Sequence, residues 1–177
     1  MAFKVLNHKI IYRGKVFNTI VDEIEYESGN RSVREVAEHP GGAVVLPLLD
    51  DGRIIFVYQF RYPLNKYIYE LPAGKLEPNE PPEVCAKREL EEETGYTAGN
   101  LEKLTAIYTS PGFCTEHLYI FLARDLRDGK QNLEEGESGL TLKFIPMKEA
   151  FLMVKRNEVV DAKTIAGLFF LEKLNLQ

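Results

Sequence analysis

The chain has 177 residues, 45% of them hydrophobic, which predicts one domain with at most a small appendage. Its 22 Lys and Arg against 27 Asp and Glu give a net charge of −5, which argues against a general nucleic-acid binder because a basic footprint is missing. With no apolar run of bilayer length, no signal core in the first ten residues and only two cysteines, we expect a cytoplasmic protein without a disulfide scaffold or a membrane partner.

The negative charge is concentrated in two segments. Residues 74–95 contain seven Glu against three basic residues, and residues 125–139 contain five acidic residues against two basic ones. The remainder of the chain is nearly neutral. The position of the charge is therefore more informative than its total.

The first 40 residues are predicted to form a small β appendage. Residues 15–26 have the composition of a strand, 27–30 form a turn signal, and 31–37 fit a returning strand. The sequence His39-Pro40-Gly41-Gly42 then interrupts the chain. We expect an N-terminal antiparallel β appendage over 1–40 and a second domain over 41–177.

Strands and helices alternate in groups after residue 42. A buried strand at 43–48 is followed by the turn Asp50-Asp51-Gly52, which predicts a hairpin with a strand at 53–60. Asp161 is a plausible N-cap for the last helix. Strands outnumber helices, so the pattern indicates a mixed α/β domain with a sheet between helices. The further predicted strands are 67–71, 101–109, 117–123 and 140–145, and the predicted helices are 81–94, 148–155 and 161–174.

The helix at 81–94 contains an unfavourable arrangement of charge. Glu89, Glu92 and Glu93 follow the spacing i, i+3, i+4 and share one face, where each like-charge pair costs roughly 0.2–0.5 kcal/mol. They also lie at the C-terminal end, which is the negative end of the helix dipole. A solvated acidic face is one interpretation. A site for hard divalent cations, which prefer carboxylate oxygens, is the other.

The residues around this helix follow a known spacing. From Gly74 the chain shows five residues and Glu80, seven residues and Arg88-Glu89-Leu90, then Glu92-Glu93 and Gly95-Tyr96. This pattern resembles the Nudix box, G-x5-E-x7-R-E-U-x-E-E-x-G-U, at every fixed position. The resemblance implies a Nudix α/β/α sandwich with a mixed sheet, to which the N-terminal antiparallel β appendage is added.

The resemblance also implies a metal site and a reaction. Glu89 and Glu93 correspond to the main metal ligands, Glu92 assists, and the carbonyl of Ala73 is a further ligand. Arg88 would orient the glutamates. Two to three Mg²⁺ ions are implied, with Mn²⁺ as a substitute. The reaction would be attack of water on a diphosphate linked to another moiety.

A general base outside the box is often found in this family. The second acidic segment offers Glu137 and, as the next choice, Glu135, since the ADP-ribose pyrophosphatase branch uses a glutamate in this loop. A solvated acidic loop is the alternative for either residue.

The substrate is indicated by residues outside the box. Pro111, sixteen residues after Gly95, resembles the marker of ADP-ribose pyrophosphatases, although a rigid turn explains it equally well. Arg61 is a candidate for the diphosphate, because arginine suits bidentate phosphate contact. The remaining candidates for substrate binding are Arg34 near the nucleotide, Glu116 on sugar hydroxyls and Phe17 on a base, with core packing as the alternative for Phe17.

We therefore expect a homodimeric Nudix hydrolase that cleaves nucleoside diphosphate sugars, with ADP-ribose as the best single candidate. The alternatives are a GDP- or ADP-hexose hydrolase, a dinucleoside polyphosphate or nucleotide-sanitising enzyme, and a nucleotide-binding sensor without activity. The sequence leaves open which nucleobase and sugar the enzyme prefers, how many metal ions it binds and which loop glutamate is the general base. It also leaves open whether the N-terminal segment exchanges between subunits.

Overall fold

A computed structural model of the chain describes residues 2–133, 135 and 139–174, which fall into two units. The first unit takes the chain up to residue 41 together with 108–117, and the second takes 42–107 and the chain from 118 onward. Within the described residues, no helix combines the length and the apolar character needed to cross a bilayer.

The first unit is a three-stranded antiparallel sheet in the order β1-β2-β3, made by Phe3–Arg13, Asn18–Tyr26 and Arg31–Glu38. The sequence predicted β2 and β3 but missed β1. Register shifts after Val5 and after Ile10 break the two-residue alternation of this strand, so its periodicity is hidden in the sequence. The 108–117 loop joins this unit through Ala37, whose N–H donates to the Phe113 carbonyl at 2.7 Å.

The second unit contains two sheets and three helices. One sheet has the order β7-β4-β9-β8, with β4 parallel to β9 and antiparallel to β7, so it is mixed. The other has the order β10-β5-β6. The elements, in chain order, are β4 Gly42–Pro47, β5 Arg53–Arg61, β6 Lys66–Glu70, β7 Ala73–Lys75, α1 Pro82–Thr94, β8 Tyr96–Tyr108, β9 His117–Asp128, β10 Thr141–Pro146, α2 Met147–Lys155 and α3 Ala162–Leu174.

Helices cover both faces of β4. Ala43 and Val45 belong to a buried cluster with Leu90 of α1. Val44 and Leu46 point to the opposite face, because successive side chains of a strand alternate, and they belong to a second cluster that includes Leu168 and Leu171 of α3. A strand buried on both faces reads as a continuous apolar run, which is why its position was predicted. The expected α/β/α sandwich is confirmed.

The predicted hairpin between β4 and β5 is wrong. The turn is present, with the Leu49 N–H donating to the Arg53 carbonyl at 2.9 Å, but only an isolated bridge between Leu48 and Ile54 links the two strands. Both edges of β4 are already occupied, by β7 and β9. The returning strand β5 therefore pairs with β6 and β10 in the second sheet.

Candidate metal and active site

The acidic helix α1 ends at a backbone position that suits glycine. Gly95 has a φ of 75°, in the left-handed region, and its N–H donates to the Glu91 carbonyl at 2.8 Å. Basic residues are missing from the last turn, and backbone and amide donors from a later segment take their place. The Asn132 N–H donates to the Glu92 carbonyl at 2.9 Å, and Gln131 Nε2 donates to the Glu93 carbonyl at 2.6 Å.

Two of the box glutamates are buried rather than solvated. Glu89 is 7% exposed and Glu93 is 2% exposed. Glu93 Oε2 accepts a hydrogen bond from the Ala73 N–H at 3.0 Å. Glu89 lies so close to the backbone at Gly74 that a Cβ at this position would overlap its carboxylate. Because both side chains are buried, the interpretation as a solvated acidic face is wrong for Glu89 and Glu93. A buried carboxylate needs partners that offset its desolvation.

Arg88 connects three carboxylates. Its guanidinium donates to Glu80 through Nε and Nη2, both at 3.0 Å, to Glu89 Oε1 at 2.5 Å and to Glu92 Oε2 at 3.0 Å. The hydrogen bond with Glu80 raises the pKa of Arg88 and lowers the pKa of the Glu80 carboxyl. The four side chains predicted to bind or orient the metal, Arg88, Glu89, Glu92 and Glu93, thus lie together with Glu80 in one cluster beside the backbone of Ala73 and Gly74.

The donor chemistry of this cluster fits a hard divalent cation. It offers carboxylate oxygens and backbone carbonyls, the ligands that Mg²⁺ prefers. Arg88 contributes one positive charge to three contacting carboxylates, so the cluster keeps an excess of negative charge. Among the described residues, no group of three or more His, Cys, Asp or Glu side chains is already arranged as a metal cage.

The structure describes only one of the two predicted general bases. Glu135 is exposed. Glu137, the first choice, lies outside the described residues. The segment that leads to both is held against the end of α1 through Gln131 and Asn132. The assignment of a loop glutamate as base stays a prediction.

Arg61, the predicted diphosphate ligand, already has a partner. Its Nε and Nη2 donate to the two oxygens of Glu70 at 2.6 and 2.8 Å, and its side chain remains 42% exposed. The hydrogen bond with Glu70 raises the pKa of Arg61, and Glu93 adds to this electrostatically. Arg61 therefore lies within electrostatic range of the box, which is compatible with a role toward the substrate.

The other four substrate candidates lie in the first unit. Arg34 Nη1 donates to the Val33 carbonyl at 2.9 Å, and Phe17 is 43% exposed rather than in the core. Pro111 occupies an exposed turn, as its alternative interpretation required. Glu116 Oε2 accepts from the Thr109 hydroxyl at 2.8 Å. Their roles toward a substrate stay predictions.

The sequence analysis missed Lys163 and Thr164 in the first turn of α3. Lys163 Nζ donates to Glu70 Oε2 and lies 3.0 Å from Asp161 Oδ1. Burial opposes ionisation of Glu70, but the hydrogen bond from Arg61 and the positive charge of Lys163 outweigh it and hold the pKa of Glu70 below its ordinary value. The predicted N-cap is confirmed, since Asp161 Oδ2 accepts from the Thr164 N–H at 3.0 Å. No sequence pattern signals a lysine that folds back onto a buried glutamate.

Comparisons with known proteins agree with this architecture. The NUDIX domain model matches residues 38–168. An ADP-ribose pyrophosphatase of Bacillus subtilis is 45% identical over 171 residues, which are 96% of this chain and 92% of the relative. A methanol dehydrogenase activator of Bacillus methanolicus is 37% identical over the same shares of the two chains. GDP-mannose pyrophosphatase of Escherichia coli is 32% identical over 82% of this chain and 81% of its own length.

A solved structure gives the same fold. The crystal structure of an ADP compounds hydrolase superposes with a TM-score of 0.86 at 21% identity, covering 98% of this chain and 94% of that one. The domain match includes the whole glutamate helix, the Ala73–Gly74 backbone beside it and the strands that flank both. On these grounds the chain belongs to the Nudix family of hydrolases.

Proposed function

We propose that the protein is a metal-dependent pyrophosphatase that hydrolyses nucleoside diphosphate sugars, with ADP-ribose as the preferred candidate. The products would be a nucleoside monophosphate and a sugar phosphate. The observation that carries the proposal is the complete set of box carboxylates, buried and organised around Arg88 and the Ala73 backbone. The names of the bacterial relatives, an ADP-ribose pyrophosphatase and a GDP-mannose pyrophosphatase, support the choice of substrate.

The metal site would be formed by Glu89, Glu93, Glu92 and the carbonyl of Ala73. When bound, two to three Mg²⁺ ions, or Mn²⁺ in their place, would neutralise the diphosphate, polarise the phosphorus centre and acidify a bound water. Arg88 keeps two of these carboxylates in place through charge-assisted hydrogen bonds. Positioning and charge neutralisation account for most of the rate in such reactions.

The bond change is a simple hydrolysis. Water attacks one phosphorus atom of the diphosphate, and the P–O–P bridge breaks. The attacking water gives up its proton to a base in the loop, for which Glu137 is the first choice and Glu135 the second. The leaving phosphate departs with the electron pair of the broken bond. Arg61 contributes positive charge near the diphosphate.

The first unit would complete substrate binding and the assembly. Arg34, Glu116, Phe17 and Pro111 are proposed to contact the nucleotide and sugar. A homodimer is supported by the surface of β1, which runs along the sheet edge with exposed apolar side chains at Phe3, Val5, Ile11 and Tyr12. Exchange of this segment between subunits, a cytoplasmic location and the absence of a nucleic-acid partner belong to the same proposal.

A GDP- or ADP-hexose hydrolase is the second candidate, favoured by the similarity to GDP-mannose pyrophosphatase. The test is a panel of ADP-ribose, ADP-glucose, GDP-mannose, diadenosine polyphosphates and nucleoside triphosphates with Mg²⁺. Release of phosphate after addition of a phosphatase measures cleavage, and chelation of the metal should abolish it. We expect the highest kcat/KM with ADP-ribose. Release of pyrophosphate from triphosphates without cleavage of any nucleotide sugar would contradict the proposal.

A further inference from the structure

The first turn of α3 holds the chain that leads into the box. The Leu71 N–H donates to Thr164 Oγ1 at 2.8 Å, and the same hydroxyl donates to Asp161 Oδ2 at 2.6 Å. Thr164 is fully buried. The hydroxyl therefore uses both its donor and an acceptor site, and its position is defined from two directions.

Glu70, the residue before Leu71, is held by ion pairs. Glu70 is 1% exposed and takes hydrogen bonds from Lys163 and from Arg61. Asp161 balances Lys163 at 3.0 Å, so the two acids and two bases of this network compensate one another. A buried network with all its charges matched specifies geometry, whereas removal of one member leaves a buried charge uncompensated.

These contacts continue without a gap to the proposed metal site. The carbonyl of Pro72 accepts from the Val45 N–H at 2.8 Å, and the next N–H, that of Ala73, donates to Glu93 at 3.0 Å. Four consecutive residues, 70–73, are thus each held by a directional contact. The last of them is Ala73, whose carbonyl is a proposed ligand.

We propose that Lys163 and Thr164 are positioning residues of the metal site, acting through Glu70 and Leu71 on the backbone of Ala73. The inference rests on the proposed function for the identity of the ligands. Mg²⁺ requires ligand distances near 2.0–2.1 Å in almost ideal octahedral geometry, so a backbone ligand must be held closely. Leu168 and Leu171 anchor α3 in the apolar cluster that also contains the side chain of Leu71. The hydrogen bonds of Lys163 and Thr164 are made instead to the Glu70 carboxylate and the Leu71 N–H.

The central experiment compares Thr164→Val with Thr164→Ser. Valine keeps the volume and removes the hydroxyl, whereas serine keeps the hydroxyl. The readout is Mn²⁺ binding to the free protein, measured by electron paramagnetic resonance, beside kcat on ADP-ribose and the melting temperature. Loss of a group that orients metal ligands typically weakens binding by about 10–100-fold, so we expect at least a tenfold loss for Thr164→Val and near-normal affinity for Thr164→Ser.

Leu171→Ala separates positioning from stability. It removes a fully buried apolar side chain from the same helix and leaves every hydrogen-bonding group of the 70–73 segment in place. It should therefore lower the melting temperature and leave Mn²⁺ affinity within about twofold of the parent protein, because large-to-small core changes act chiefly on stability. If Thr164→Val lowers the melting temperature but binds Mn²⁺ as the parent does, the inference is refuted. A parent protein that binds no Mn²⁺ refutes it equally.

If Thr164→Val does not fold, Lys163→Met is the second variant. Its control is Lys173→Met, which removes one positive charge from the same helix. We expect weakened Mn²⁺ binding only in Lys163→Met, and equal affinities would refute the role of Lys163. Should the parent bind Mn²⁺ but cleave no nucleotide sugar, the proposed function fails. The positioning inference is then still decided by the Mn²⁺ affinities of the variants.

Discussion

Replacement of Arg88 by methionine should destabilise the protein in the absence of metal, and divalent cations should reduce the deficit. Methionine keeps an unbranched chain of similar reach but removes the guanidinium that contacts Glu80, Glu89 and Glu92. The three carboxylates then face one another without this cation. Their repulsion and the loss of charge-assisted hydrogen bonds both disfavour the folded state.

The magnitude follows from burial. Arg88 is 27% exposed, and the side chains of Glu80 and Glu89 are each 9% exposed. Breaking a buried ion pair by removing one partner costs about 3–5 kcal/mol, and the partial exposure of Arg88 places the expected cost near the lower limit, at about 3 kcal/mol. For a protein of this length this corresponds to a decrease of roughly 6–12 °C in melting temperature.

The assay is thermal unfolding followed by circular dichroism, with a chelator and with excess Mg²⁺. Arg156→Met is the matched control, because Arg156 also bridges two glutamates, Glu149 and Glu158, but all three side chains are 44–47% exposed. Solvent screening makes such surface pairs weak, so this variant should melt close to the parent. Mg²⁺ should raise the melting temperature of Arg88→Met by more than that of the parent. Equal effects of the two arginine substitutions, or no response to Mg²⁺, would refute the reasoning.

Three further predictions concern single residues. Glu93→Gln should keep the fold and reduce kcat at least about a hundredfold, since a neutral amide is a poor metal ligand, and near-normal turnover would exclude Glu93 as a ligand. Gly74→Ala should cost about 1–3 kcal/mol in chemical denaturation and lower activity, because its Cβ overlaps Glu89, whereas Gly112→Ala, which meets open space, should leave stability unchanged. Burial raises the pKa of Glu70, but its cationic partners more than offset this, so the folded-state value lies below the ordinary 4.5. The ionised Glu70 carboxylate therefore contributes fully to stability above pH 4.5, and this contribution is lost as the pH falls through the lower folded-state pKa. Glu70→Gln should make the free energy of unfolding less dependent on pH in this acidic range, as measured by denaturation curves at a series of pH values.

The box and its helix were predictable because they depend on local sequence. The spacing of the glutamates places them on one face, two prolines begin the helix and Gly95 ends it, as observed. The continuous apolar run at 43–48 likewise indicated a buried strand, which the structure has at Gly42–Pro47. Each of these features is set by residues within about one helix or strand length of one another, which is the range that periodicity can report.

The errors arose where distant segments decide the outcome. The turn at 50–52 indicated a hairpin, but β9, which is remote in sequence, pairs with β4 and leaves β5 to a second sheet. The residues near Arg61 likewise contain no indication that Glu70 binds it, and its role toward phosphate stays a prediction. Register shifts concealed β1. In each case the competing partner could not be identified from the local pattern.

The amino-acid sequence by itself determined the acidic helix, the type of ligand that it offers and the reaction class that such ligands serve. Tertiary structure decided which of these carboxylates are buried, and it placed Glu89 against Gly74 and Glu93 against the Ala73 N–H. It also joined Glu70 to Lys163 across 93 positions of the chain. The physical reason is that helical spacing follows from the local backbone, whereas burial and charge compensation depend on which distant segments pack together.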